Sequence, residues 1–504
     1  MIEISTAVVI GFLSAVYLFL LKRPKRKNNE PPLSCPIPFL GQGIAFTNNY
    51  AGLIQSLRAK HGSIFTMINF GQRMHFITDI RSTKKIWSLP KLFNFADFAS
   101  NAEANFGGIE TKEEIDASGV AASTLAIHAK LMSRPEELEK LATRFKSALD
   151  EAIQNIPMLR CEEWHTLNLK EFSGTLVWYA AGRSLYGTGW LKGKHGEERV
   201  NIAESYRKYA EFEDAAPMIV GGLPRFLTHK GCLARDYLRD ILMPVLDDGC
   251  TGGHPYIQNY VKQLKQAYKG KEDSLLKISA RMIGLMFAIN SNTMMLLFWT
   301  IARVFTVPKE NRDRLLEEIS TAMKKYSTWA DIKKHTPMLT SFIIETLRFH
   351  SDPNSFRMVG EDFIVQGLGE NGDKTFAFRK GDSVFMLSSF DQLKGVDGDN
   401  QNQFDGERWL EYTSDPKLSN SLFPIPASKI LVPFGGGKHL CPGRFFATIE
   451  MHYVIAFCFQ NYEFEFVDAT AKLPRKVVEL SAPINQPKDE VMVRVRYKGK
   501  VIND

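Results

Sequence analysis

The chain is short of the features that would place it in several large classes. Its 504 residues include six cysteines, Cys35, Cys161, Cys232, Cys250, Cys441 and Cys458. No two of them form a C-x-x-C pair or a compact framework, which argues against a secreted disulfide scaffold and for a reducing compartment. No run of Lys and Arg carries interleaved aromatics and the formal net charge is a modest +7, so nothing points to nucleic acid. No glycine fingerprint in strand–helix context marks a nicotinamide or flavin domain. There is no internal repeat and no long low-complexity segment. Charged residues at 24% and hydrophobic residues at 44% are ordinary for a folded globular chain long enough to bury a large core.

What is present begins at the N-terminus. Ile4 to Leu21 is an uncharged apolar run, about 27 Å as a helix and enough to cross a bilayer core. Glu3 precedes it and Lys22-Arg23-Pro24-Lys25-Arg26-Lys27 follows. A cleaved leader has the opposite polarity, with its charge before the apolar part. Residues 1–21 therefore read as a single-pass anchor whose basic flank stays cytosolic, placing the following body on the cytosolic side. Residues 22–38 are basic and then proline-rich, ending in Pro31-Pro32-Leu33-Ser34-Cys35-Pro36-Ile37-Pro38, a stiff extended hinge. Residues 39–504 are left as one large unit.

Within that unit, Tyr50 to Lys60 reads as a helix and Ser63 to Thr78 as a hairpin. Phe93 to Ser123 has no clear period and reads as a loop. Helical pattern returns over 124–155, 167–186 and 200–212, and Gly221-Gly222-Leu223-Pro224 breaks it. Ser274 to Val304 is the strongest helix, with Ile278, Met282, Leu285, Met286, Ile289, Leu296 and Leu297 at helical spacing. Its middle, Asn290-Ser291-Asn292-Thr293, puts four polar side chains into an apolar helix, and each needs a partner or water. Glu345 and Arg348 share one face of a helix over 341–348. Val491 to Arg496 alternates as a strand.

The most specific stretch is Phe434-Gly435-Gly436-Gly437-Lys438-His439-Leu440-Cys441-Pro442-Gly443-Arg444. An apolar helix is expected over Phe445 to Phe459, with Pro442 suited to its first turn. Cys441 then lies at a helix N-terminus, where free N–H groups and the dipole favour a thiolate. The glycines leave room for a flat partner.

Phe434, Gly437, Cys441 and Gly443 resemble the cysteine-ligand signature of the cytochrome P-450 haem-thiolate enzymes, with His439 where the family most often has Arg. The resemblance implies a mainly α fold with small β-sheets, one large catalytic domain (39–504) behind the membrane helix, and haem b bound through Cys441, the axial ligand of its iron. Phe434, Gly437, His439 and Arg357 are implied as further cofactor-binding residues. Arg357 matches the strand arginine that meets a haem propionate. Glu345, Arg348 and Arg408 match an interlocked group that fixes the cysteine loop. The usual Trp-x-x-x-Arg propionate pair is missing from 124–155, where His128 and Lys130 are candidate substitutes. On the long helix Thr293 matches the alcohol that holds water beside the iron, and Asn292 stands where most members have an acid. That Asn-Thr pair is similar to the group of sterol 7- and 12-hydroxylases and prostacyclin synthase, and to fungal enzymes of secondary metabolism. The expected substrate contacts are Phe106, Phe287, Ala288, Asn354 and Ile484.

The activity implied is a monooxygenase that oxidises an apolar molecule such as a sterol, terpenoid or other secondary metabolite. NADPH electrons would come through a partner reductase, with cytochrome b5 as a further partner, at the endoplasmic reticulum membrane. Two alternatives stay open: a reductase-independent isomerase or dehydratase of a peroxide, and a non-enzymatic haem sensor.

Overall fold

The computed structural model describes residues 27–499 apart from 28, 121–126, 129, 192–199, 353, 389, 391–402, 416, 418–430, 469–472, 475 and 478–483. The expected anchor (1–21), the basic half of the hinge and the turn residues Ala482 and Pro483 lie outside the described residues.

Helices dominate, and their ends follow local chemistry. Pro255 and Pro337 open the helices Pro255–Ala267 and Pro337–His350 at the position where a missing N–H costs nothing. Asn168 caps Leu169–Tyr186 by accepting from the Lys170 N–H. The long helix runs Ser274–Val304, and the helix after Cys441 runs Arg444–Asn461. Both are buried nearly all round within one large apolar core, which also takes in Leu169–Tyr186. Among the described residues, Ser274–Val304 is the helix long and apolar enough to cross a membrane, but it is a core helix.

A six-stranded sheet has the order Leu33–Ser34, Ile64–Asn69, Gln72–Ile77, Ser383–Leu387, Asn354–Val359, Phe93–Asn94. Tyr462–Phe466 pairs with Met492–Tyr497, which pairs in turn with His165–Asn168. The sheet puts Arg357 opposite Val384.

Two regions depart from the sequence reading. The stretch from Phe93 is not a plain loop, for it holds helices Ala96–Gly107 and Lys112–Ala117. The second starts with a capping box between Thr111 and Glu114, a signal present in the sequence but not used. The proline-rich segment is also fastened to the body. Leu33–Ser34 adds a parallel strand beside Thr66 and Met67. Glu30 is 1% exposed and is held by Arg379 and Arg73. Burial pushes the Glu30 carboxyl up, but Arg379, the Lys27 N–H and Arg73 outweigh it and bring it down to about 2. The same network reaches Asp382, His75 and Thr66, with 2.8 Å from His75 Nε2 to Asp382 and 2.7 Å from its Nδ1 to the Thr66 hydroxyl. This Thr–His–Asp chain has the make-up of a nucleophile set, but Thr66 and His75 are fully covered, so it is a structural pin.

Candidate active site

The cysteine loop is shaped by its glycines. A Cβ on Gly436 would lie 2.3 Å from two carbons of the Trp87 ring, and one on Gly437, at φ +66, would lie 2.8 Å from the Trp87 carbonyl oxygen. Only glycine permits this approach. The loop closes through the Cys441 N–H, which donates to the Phe434 carbonyl at 2.9 Å. Arg444 then donates to the Cys441 carbonyl at 2.9 Å. Cys441 is half-buried. Burial pushes its thiol up, opposed by the Gly443 N–H, the Arg444 charge and the Arg444 N–H. Two backbone N–H groups therefore aim at the sulfur, as a thiolate ligand requires. The helix begins at Arg444, one residue before its expected start.

Next to the loop are two basic side chains with no counter-charge. Arg357 is 4% exposed, lies 5.2 Å over the Phe95 ring and donates only to the Phe356 carbonyl, at 2.6 Å. Burial lowers its guanidinium to about 10, and it meets no carboxylate among the described residues. His439 lies against the same aromatic, its ring centroid 4.9 Å from that of Phe95. Burial lowers its imidazole, and the charges of Arg357 and Lys438 lower it further. A buried cation without an anion is costly. Arg357 is such a cation beside the cysteine loop, and with the His439 imidazole as a further donor it fits a haem, whose propionates would supply the missing negative charge.

The Glu345 group is the opposite case. Its carboxylate takes both Arg348 Nε and Nη2 at 2.8 Å, Arg408 Nε at 3.1 Å, the Trp409 indole N–H at 3.1 Å and the Asp405 N–H at 3.0 Å. Arg348 and Arg408 each also donate to the Gln403 carbonyl. Trp409 and Asp405 were not singled out in the sequence, although both lie in the segment that carries Arg408.

On the long helix the four polar residues separate. The Asn290 amide donates back to the Met286 carbonyl at 2.9 Å, and Ser291 faces the Tyr209 hydroxyl. Thr293, 4% exposed, donates to Glu450 Oε2 at 3.1 Å. The Thr293 proton is thus directed to the Arg444–Asn461 helix, which leaves its oxygen only as an acceptor. Asn292 alone is half-exposed. It ends a continuous stripe of exposed or half-exposed positions, Gly284, Leu285, Ala288, Ile289 and Asn292, in an otherwise covered helix. Ala288 in mid-helix is exposed. The Glu450 carboxyl is 1% exposed and burial raises it well above the usual range, with the Thr293 hydrogen bond opposing. Sequence reading passed over Glu450, since one acid in an apolar helix shows no pattern.

Phe106 and Phe287 do meet, with ring centroids 5.1 Å apart, and Phe106 also packs on Phe212. Asn354 is half-buried at the start of the strand that carries Arg357. Ile484 is 5% exposed and bridged to Ser351. His128 is buried and its imidazole bonds to the Pro442 backbone, while Lys130 is exposed.

A family model described as cytochrome P450 matches residues 255–491, a span that includes the long helix, the Glu345 group and the cysteine loop. Over that span the chain carries a cytochrome P450 domain. Cytochrome P450 7B1 of Mus musculus is 25% identical over 96% of this chain and 93% of its own length. Cholesterol 7-alpha-monooxygenase of Cricetulus griseus is 23% identical over 90% of this chain and 91% of its own. The human 7-alpha-hydroxycholest-4-en-3-one 12-alpha-hydroxylase is 24% identical over 93% and 92%. The solved structure of retinoic acid-bound cyanobacterial CYP120A1 superposes with a TM-score of 0.67 at 18% identity, covering 94% of this chain and all of that one, and shows the P450 fold. This P450 is accordingly an oxidoreductase of the monooxygenase kind with a haem cofactor, in a family that draws electrons from NADPH through a reductase.

Proposed function

We propose that this P450 hydroxylates a sterol or a similarly shaped polycyclic lipid, using dioxygen and electrons from a separate NADPH-dependent reductase, with cytochrome b5 as a second donor. The observation that carries the reading is the division of labour on the long helix. Three of its four central polar residues are committed to the scaffold, and Asn292 faces the open stripe. The sterol-hydroxylating relatives, similar over nine-tenths of the chain, supply the substrate class.

In this reading Cys441 is the thiolate ligand, and Arg357 and His439 hold the propionates. Bound there, a haem would supply oxygen activation, favoured by electron donation from the Cys441 thiolate. The chain's own residues do the rest. The glycine turn against Trp87 admits the flat ring. The Glu345–Arg348–Arg408–Trp409 group keeps the loop from shifting. Asn292 holds water with its amide; it orients the water but cannot exchange a proton by ionising, so protons pass through the water it holds. Phe106, Phe287 and the bare surface at Ala288 form an apolar wall that excludes bulk water and takes the substrate's rings. Residues 4–21 anchor the protein in the endoplasmic reticulum membrane, from which an apolar substrate partitions.

The test is reconstitution of the full chain in vesicles with P450 reductase, NADPH and a sterol panel. Product formed with matching NADPH and oxygen consumption is the expected result. Turnover of a hydroperoxide without reductase, and none with it, would overturn the reading.

A further inference from the structure

A polar cluster near the start of the long helix has no part in the arrangement above. Arg281 precedes Asn292 by eleven residues, about three turns and ~16 Å along the axis, and so lies on nearly the same side. It is 3% exposed, and its Nε is 2.9 Å from Glu103 Oε1. The Tyr260 hydroxyl faces it. Tyr268 donates to Glu110 Oε2 at 2.9 Å. Glu103 comes from the Ala96–Gly107 helix, one turn before Phe106, so the element that forms the aromatic wall also carries this acid. Unlike Arg281, Glu103 keeps 27% of its side-chain surface.

Arg281 Nε meets Glu103 as an ion pair without a hydrogen bond, and two further buried atoms of this cluster have no partner among the described residues: Arg281 Nη1, a donor, and Glu110 Oε1, an acceptor. Buried polar groups are rarely left so, because each costs its desolvation. A hydroxyl answers both, accepting from the guanidinium and donating to the carboxylate. A hydrocarbon answers neither. A carboxylate is disfavoured because it would meet Glu103 and Glu110, whose mutual repulsion already adds to burial in raising the Glu103 carboxyl against the pull of Arg281.

We propose that Arg281 and Glu110, with Glu103 at the opening, receive a neutral hydroxyl on the substrate, and that the carbon oxidised lies toward the substrate's opposite end. This inference rests on the monooxygenase reading and deepens it: the substrate is an apolar alcohol, neither a hydrocarbon nor an acid.

Matched ligands test it. The full-length ferric protein is titrated with a 3-hydroxysteroid and its 3-deoxy counterpart, and with a long-chain primary alcohol and its alkane, following the spectral shift of water displacement from the haem. The alcohol of each pair is expected to bind about tenfold tighter or better, the scale of a hydrogen bond to a charged group. In Glu110→Gln and Arg281→Lys the preference should fall to about threefold or less while affinity for the deoxy ligand is unchanged. Equal binding of both members by the unmodified protein overturns the proposal and assigns the cluster to an ordered water. A preference that survives in both variants also overturns it. A preference within the chain-alcohol pair but silence with both steroids upholds the cluster and sinks the sterol reading. No response to either pair sinks both. If neither variant retains haem, the ratio in the unmodified protein decides.

Discussion

The Glu345 group and the Arg357–His439 pair are both rich in basic side chains and each centres on a buried arginine, yet they are built oppositely. Glu345 receives five hydrogen bonds from two guanidiniums, an indole and a backbone N–H. Arg357 reaches only a neighbouring carbonyl and is depressed to about 10 by burial alone. A satisfied network is scaffold, because nothing further can bind to it. An unsatisfied cation is site, because its missing partner is a ligand. The contrast teaches where to expect loss of structure on mutation and where to expect loss of cofactor.

The largest effect should come from the point the two regions share. Cys441→Ser should abolish the thiolate-type spectrum of the reduced carbon monoxide complex and all turnover. A variant that kept that spectrum would remove Cys441 as the ligand.

Breaking the satisfied side comes next. Glu345→Ala or Arg348→Met leaves a buried charge without its partner and should cost about 3–5 kcal/mol, read as a lower denaturant midpoint with or without haem. Arg357→Met should behave differently. It removes a buried cation that the protein alone does not pair, so the haem-free midpoint should stay level or rise. Haem should dissociate about tenfold faster, in line with one lost charge-assisted hydrogen bond. Equal loss of haem-free stability from Arg357→Met and Arg348→Met would erase the distinction.

The same contrast explains what could be read in advance. Cys441, Arg357 and the Glu345 group stand in motifs with fixed local spacing, and so does the 31-residue core helix, whose apolar spacing marks both its ends. Azimuth on that helix was not legible. Asn292 and Thr293 are adjacent and 100° apart, so a shift of one position exchanges the residue facing the cavity with the one facing the neighbouring helix. Only Glu450, remote in sequence, settles it by claiming Thr293. The burial of Ile484 was not legible for the same reason: it goes with a bridge to Ser351, more than a hundred positions away. Short helices such as Ala96–Gly107 lack a strong period and are fixed by packing of Phe106 on Phe212 and Phe287.

Asn292 and Thr293 therefore give a finer comparison. Asn292→Ala should cut coupled product formation by about one order of magnitude or more while leaving the thermal midpoint nearly unchanged, the scale at which a proton-positioning group acts. Thr293→Val should do the reverse, costing about 1–2 kcal/mol of stability because Glu450 loses its donor, with coupling much less affected. The swapped outcome would restore Thr293 to the open face.

The effect at Glu450 grows from nothing near pH 4, and its sign is the most diagnostic of all. Glu450 sits in apolar surroundings and accepts from Thr293 alone, with Oε1 unpartnered among the described residues. Burial raises its carboxyl well above 4.5, so the folded protein keeps a proton that the unfolded chain releases. Between 4.5 and the folded value the native state binds more protons, and stability falls as pH rises, by up to about 1.4 kcal/mol per unit. Gln has the same shape and does not titrate. Glu450→Gln should match the parent near pH 4 and become the more stable protein as pH rises toward 8, measured by denaturant unfolding across that range. A gap that narrows with rising pH would mean that Glu450 is ionised and paired in the native state. The bond from Thr293 would then be one arm of a charged network like that of Glu345, and the division between scaffold and site would have to be redrawn along the whole contact between these two helices.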